Sequence, residues 1–164
     1  MPEMIKRSQL AEYLDVTPNG STRTWERIGF GVEGKSTDYA PEIDERQFID
    51  ADAPTATLKR YGMTSDFPII AATGSPVFEY LDKLRIKRAI YADAESSTIE
   101  VRLYEPIDGE TGAYAATMTP VTVVINSSGD AAEDPFTLEA TLSGRGDPVQ
   151  GTFAYATKTF TANP

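Results

Sequence analysis

The sequence predicts a mainly β fold, an antiparallel β-sandwich or partly open barrel with one flanking α-helix. Apolar and polar residues alternate at period two through most of the C-terminal half, and only one segment has convincing helical spacing. Short turn sequences join successive strand candidates, which implies antiparallel pairing. No repeat of 20 to 50 residues and no low-complexity tract interrupts the pattern.

Taken in order, residues 1–20 read as an N-terminal arm and residues 21–164 as the β domain. The arm contains a weak helical stretch, Ser8 to Leu14, ahead of the turn-like Thr17 to Ser21. Arg23 to Ile28, Lys35 to Tyr39, Arg46 to Ile49, Thr55 to Tyr61 and Phe67 to Ala71 are strand candidates, with Pro68 confining its strand to an edge or bulge. The helix opens at Ser75, a good N-cap, with Pro76 at the first helical position, where its missing N–H costs nothing. Val77, Phe78, Leu81 and Leu84 then recur at near-helical spacing, a short helix that should lay one apolar face on another part of the fold. The basic cluster Lys83, Arg85, Lys87 and Arg88 ends this helix, where cations complement the helix dipole. Strands follow over Thr98 to Glu105, Val121 to Ile125, Phe136 to Leu142 and the Thr-rich tail Thr152 to Thr161. The turns between them are Asp108-Gly109, Ser128-Gly129-Asp130 and a hairpin loop at Gly144-Arg145-Gly146-Asp147-Pro148.

Composition removes whole classes of chemistry. The chain has neither His nor Cys, so disulfides, thiolate nucleophiles, imidazole bases and Cys/His zinc sites are impossible. Lys6 and Arg7 are followed by no apolar run long enough for a signal peptide, and Phe67 to Ala72 and Val121 to Ile125 are too short to span a bilayer. A soluble protein made in a cytoplasm is expected. Against 15 Lys and Arg stand 25 Asp and Glu, a net charge of -10, which argues against gripping duplex DNA. Half of that excess falls between residues 38 and 52, where Asp38, Glu42, Asp44, Glu45, Asp50 and Asp52 face the single Arg46. The segment reads either as a solvated loop or as an acidic patch with a function.

Gly29 to Ser36 matches the phosphate-loop pattern GxxxxGK-Ser, and Gly29 to Gly34 also matches GxGxxG. Such a loop must leave a buried strand and open a helix. Here Trp25 to Ile28 is amphipathic and Pro41 follows closely, so a glycine-rich turn between strands is the preferred reading. Arg145-Gly146-Asp147 reads as a loop, the sequons at Asn19 and Asn126 have no meaning without secretion, and the carboxylate neighbours Asp50/Asp52 and Glu133/Asp134 lack anything that selects a raised-pKa acid. Trp25 and the eight Tyr residues could stack on sugars, but scattered aromatics at strand positions more often build a core or interface. No catalytic, cofactor-binding or metal-binding residues emerge, and no enzyme is expected.

The order of features is informative. Trp25-Glu26-Arg27-Ile28-Gly29 precedes a strand, an acidic turn at Tyr39-Ala40-Pro41-Glu42 and a second strand ending near Phe48-Ile49-Asp50. The helix Gly74-Ser75-Pro76-Val77-Phe78-Glu79-Tyr80-Leu81-Asp82-Lys83-Leu84-Arg85 then leads into the strand-rich half. Over residues 22 to 160 this resembles the tail tube (major tail) proteins of long-tailed bacteriophages infecting Gram-positive bacteria. The resemblance implies a virion subunit, assembled in the host cytoplasm, whose sheets join edge to edge into a hexameric ring. Rings would stack around a tape-measure protein, meet tail terminator and distal tail proteins at their ends, and let DNA pass through the lumen without specific binding. It also implies ring-to-ring contacts from Asp38 to Ala56, from Met1 to Gly20 and from the tail after Thr157. The acidic residues Asp38, Glu42, Asp44, Glu45, Asp50 and Asp52 become candidates for the lumen or for inter-ring contact. A tail terminator, a capsid-decorating protein and a carbohydrate-binding β-sandwich remain as alternatives.

Overall fold

A computed structural model describes residues 1–164. Eleven strands and one helix follow in chain order. They are β1 (Leu10–Asp15), β2 (Trp25–Arg27), β3 (Ser36–Asp38), β4 (Glu42–Arg46), β5 (Thr55–Arg60), β6 (Thr64–Ile70), α1 (Pro76–Lys87), β7 (Glu95–Pro106), β8 (Ala113–Gly129), β9 (Thr137–Gly144), β10 (Val149–Ala154) and β11 (Thr159–Ala162). Nine of the strands form one antiparallel sheet, while β4 and β5 form a separate two-stranded ribbon. The fold is therefore mainly β with one helix, and its sheet does not close into a barrel.

The 17-residue β8 organises the sheet. Along one edge it pairs β7, through residues 114–122, and along the other it pairs β10 through residues 113–118 and β9 through residues 121–129. Strands β9 and β10 thus run end to end beside the same neighbour. Gly144 to Pro148 is an interruption between them, anchored by Arg145 N donating to Pro120 O and Gly144 N donating to Met63 O. The expected hairpin at this glycine-rich string is corrected: Pro120 lies on β8 between the two pairing stretches, and the chain bulges there without reversing. Beyond β9 lie β6 and β3, and beyond β7 lie β1 and β2.

Side chains alternate across the strands and feed two cores. Phe67 and Ile69 of β6, Leu138, Ala140 and Leu142 of β9, and Val121 and Val123 of β8 gather under Val77 and Leu81 of α1. Phe78 and Leu84 are partly buried against the same cluster. Ile99, Val101, Ala116 and Phe153 meet Ala11, Tyr13 and Trp25 in the second core. Trp25 is buried there, so it offers no stacking platform to a sugar. Each large aliphatic side chain so buried contributes about 1.5–3 kcal/mol.

The helix starts as its sequence dictates. Ser75 Oγ accepts from Phe78 N at 3.5 Å, Pro76 opens the first turn, and Glu79 accepts from Gly74 N at 3.0 Å. It ends at Arg88, whose φ of 52° places it in the left-handed region. No helix is long and apolar enough to cross a membrane.

Three further expectations are corrected. Ser8 to Leu14 is not helical: a short 3₁₀ turn over Arg7–Gln9 leads into β1, which lies between β2 and β7. Tyr13 and Leu14 serve opposite cores, and burial on both faces erased the alternation that marks an ordinary strand. The strand expected over Arg46 to Ile49 lies earlier, over Glu42–Arg46, because its register is set by β5. The single strand expected over Thr152 to Thr161 is a hairpin, β10 and β11, whose turn places Lys158 at a φ of 51°. Pro68 sits on β6 past the end of β3, whose pairing stops at Asp66, so the edge facing away from β9 needs no N–H from it.

Candidate interaction surface

The β4–β5 ribbon leaves the domain between β3 and β6. Its two legs are tied at the root, where Gly62 N donates to Tyr39 O at 2.9 Å and the Tyr39 and Tyr61 rings meet edge to face at 6.4 Å. Ala40 takes a φ of 36° there, with its N–H donated to Asp38 Oδ1 at 3.0 Å.

Directly opposed residues point the same way, so the register divides the ribbon into two faces. Ile43 opposes Leu58 and Glu45 opposes Ala56 on one face, while Asp44 opposes Thr57 and Arg46 opposes Thr55 on the other. Lys59 is the extra residue of a bulge beside Glu42 and reaches Asp44 at 3.6 Å. One face is thus apolar in its middle and the other charged. Neither is covered: no residue of β4 or β5 is buried. An isolated two-stranded hairpin is marginal in water, and contiguous exposed apolar side chains mark interaction sites. At the tip Phe48 and Ile49 are exposed as well.

The six acidic candidates separate by environment. Glu42 is paired with Arg60 at 2.5 Å, and Asp44 with Arg46 at 2.9 Å. Asp38 caps the turn to Ala40. Glu45, Asp50 and Asp52 are exposed and enter none of the ion pairs of this region. Lys59 and Arg60, distant in sequence, therefore neutralise part of the acidic run.

At the ribbon's root a cavity of about 980 Å³ opens against the main sheet. Its floor holds Glu12 and Lys35, whose Nζ and Oε1 lie 2.5 Å apart, and Arg7 donates to the other oxygen of Glu12 at 2.6 Å. Glu100 lies opposite Glu12 in the β1–β7 register. Burial raises the Tyr39 phenol above its usual value, and the Glu100 and Glu12 carboxylates push it the same way. Lys35 belongs to the phosphate-loop string, but that string leads into β3 and no helix opens there. With its ammonium committed to Glu12 the string is a turn between strands. Glu133 and Asp134 lie exposed on a turn, and Asp50 and Asp52 on the ribbon tip.

The sheet also leaves borders open. Residues 123–129 of β8 extend past the start of β7 and pair only with β9, so one edge is unpaired. Strands β3 and β11 each have one partner. These borders and the ribbon were not identifiable as surfaces from composition alone; the signal for the ribbon was Ile43, Phe48, Ile49 and Leu58 among charges.

No protein-family model matches the chain, and no curated protein matches it in sequence. Its fold matches solved structures at low identity. A chain from the tail of an empty gene transfer agent particle, refined with C6 symmetry, superposes with a TM-score of 0.62 at 12% identity, covering 97% of this chain and 100% of that one. A chain of the native gene transfer agent virion gives 0.60 at 10% identity, with coverage of 97% and 100%. One from the sixfold-symmetrised baseplate of the anti-feeding prophage gives 0.51 at 12% identity, with coverage of 92% and 97%.

Proposed function

We propose that the chain is a non-enzymatic structural subunit of a virion tail tube, which joins copies of itself into hexameric rings that stack into a conduit for DNA. The observation that carries this reading is the β4–β5 ribbon, which projects from the domain with both faces in water and an apolar pair, Ile43 and Leu58, on one of them. Such a ribbon gains its stability by docking on another subunit. Open sheet borders at β8, β3 and β11 are a liability for a monomer and a means of ring closure for an assembly. The shared fold with chains of sixfold tail and baseplate structures supports the same reading. A net charge of -10 suits a lumen in which phosphates must not dock.

Among the six acidic candidates, Glu45, Asp50 and Asp52 carry charge that the chain itself does not neutralise, and their ribbon makes inter-subunit contact a better fit than lumen lining. Terminal segments, tape-measure, terminator and distal tail partners belong to this proposal through the family resemblance alone. The test is negative-stain microscopy of the purified chain across a concentration series. Rings of sixfold symmetry and tubes built from them are the expected result. A monomer at every concentration, by sedimentation as well as microscopy, overturns the reading.

A further inference from the structure

Two separate surfaces of the chain are open and complementary. At the ribbon tip Phe48 and Ile49 are 56% and 110% exposed, flanked by the unpaired Glu45, Asp50 and Asp52. On the outer side of α1 and just beyond it, Ile86, Ile90 and Tyr91 are 68%, 66% and 85% exposed. Lys83 lies one turn before Ile86, and Arg88 caps the helix. Lys83 and Arg88 enter none of the ion pairs there, whereas Arg85 is held by Asp82 and Lys87 by Asp93, each at 2.8 Å. The uncompensated charge at this end is therefore positive, and two whole cations exceed the roughly half negative charge of a helix C-terminus. Such exposure also means that the two patches do not cover each other within one chain.

We propose that the ribbon tip of one copy docks on the outer face of α1 of a second copy. Phe48 and Ile49 lie against Ile86, Ile90 and Tyr91, while Glu45, Asp50 and Asp52 face Lys83 and Arg88. This rests on the self-assembly reading and names the surface that the ribbon occupies. Both patches combine an apolar centre with a charged rim, the usual anatomy of a specific contact. Their charges are opposite, which favours this pairing over tip-to-tip or helix-to-helix contact. Because the two patches differ, the contact is head to tail and propagates into rings or filaments instead of stopping at a twofold dimer.

The absence of cysteine allows a direct test on the full chain. Ile49→Cys and Ile86→Cys are made as separate variants, distinguished by a size tag, mixed under assembly conditions and oxidised. Disulfide-linked pairs containing one chain of each kind should exceed same-kind pairs by about tenfold, as expected for a preformed contact against random collision. In parallel, Asp50→Lys/Asp52→Lys and Lys83→Glu/Arg88→Glu should each raise the concentration needed for assembly by about tenfold. Mixing the two variants should restore assembly, since opposite charges again meet. Circular dichroism checks that these exposed changes leave the fold intact. If the wild-type chain assembles while cross-linking is random, or while both charge variants assemble normally, the docking is overturned and self-assembly stands. A wild-type chain that stays monomeric overturns both.

Discussion

The Lys35 ammonium lies 2.5 Å from the Glu12 carboxylate, and both side chains are at least nine-tenths buried. This contact ties the glycine-rich turn after β2 to the strand β1, two segments 23 residues apart. It also decides the nature of the phosphate-loop string, because a lysine consumed by a buried carboxylate has no charge left for a phosphate. Arg7 shares Glu12 from the solvent side, and Glu100 stands across from it on β7.

Removing Lys35 should leave the buried Glu12 with Arg7, a solvent-side cation, as its one remaining ion-pair partner. Lys35→Met is expected to cost about 2 kcal/mol in urea unfolding, below the full penalty of an unpaired buried charge because Arg7 remains, and the double change Glu12→Gln/Lys35→Met to cost less. ATP should bind neither the parent nor the variants by calorimetry. A parent that binds ATP and a Lys35→Met variant that does not would restore the nucleotide reading.

Tyr80 presents the opposite case, a buried polar atom without a partner. Its hydroxyl meets no partner at hydrogen-bond geometry, and the nearby Ser96 Oγ spends its own proton on Asp15 O at 2.7 Å. Burial holds its phenol above the usual 10.0, the Ser96 hydroxyl opposes the shift in part, and the Asp15 carboxylate adds to it. The folded chain therefore binds this proton more tightly than the unfolded one. The associated stability is intact below the unfolded value and is lost as pH rises through the folded one. Tyr80→Phe should raise stability at neutral pH by about 1 kcal/mol and flatten the alkaline limb of a melting-temperature profile. A loss of stability at pH 7 would mean that the hydroxyl is satisfied.

The ribbon should be dispensable for folding. Replacing residues 42–60 by a short Gly-Ser turn removes no buried side chain, so thermal unfolding should stay within a few degrees of the parent. Ring or tube formation should disappear under the same conditions. Persistent tubes seen by microscopy would assign assembly to the sheet borders alone.

Gly151 is required by close approach of the backbone. A Cβ there would overlap Thr161 O and come within 2.5 Å of Phe160 Cζ. Because β11 is held to the sheet only through β10, Gly151→Ala should displace β11 and cost about 2 kcal/mol. Faster amide exchange over residues 159–162 is the readout, and unchanged protection would contradict the steric argument.

Much of the architecture is legible in local pattern. The Ser75-Pro76 start of α1, its apolar spacing through Leu84 and the alternation of β7 and β9 each follow from how one residue faces solvent and the next faces a core. Strand β1 was not legible, because Tyr13 and Leu14 enter different cores and its pattern has no solvent face. Nor was the continuity of β9 and β10, since Gly144 to Pro148 has the same composition whether the chain reverses or merely bulges. Only the length of β8, with an edge for both strands, selects between them.

What the residues alone determined is a His-free, Cys-free, acidic β protein with one capped helix, because composition and period are local properties. The tertiary structure decided which charges remain. Lys59 and Arg60 fold back on Asp44 and Glu42, Lys35 is buried against Glu12, and the charges that stay exposed and unpaired include those at the ribbon tip and at Lys83 and Arg88. Charge pairing depends on distances of a few ångströms between segments far apart in the chain, and a linear sequence does not contain those distances.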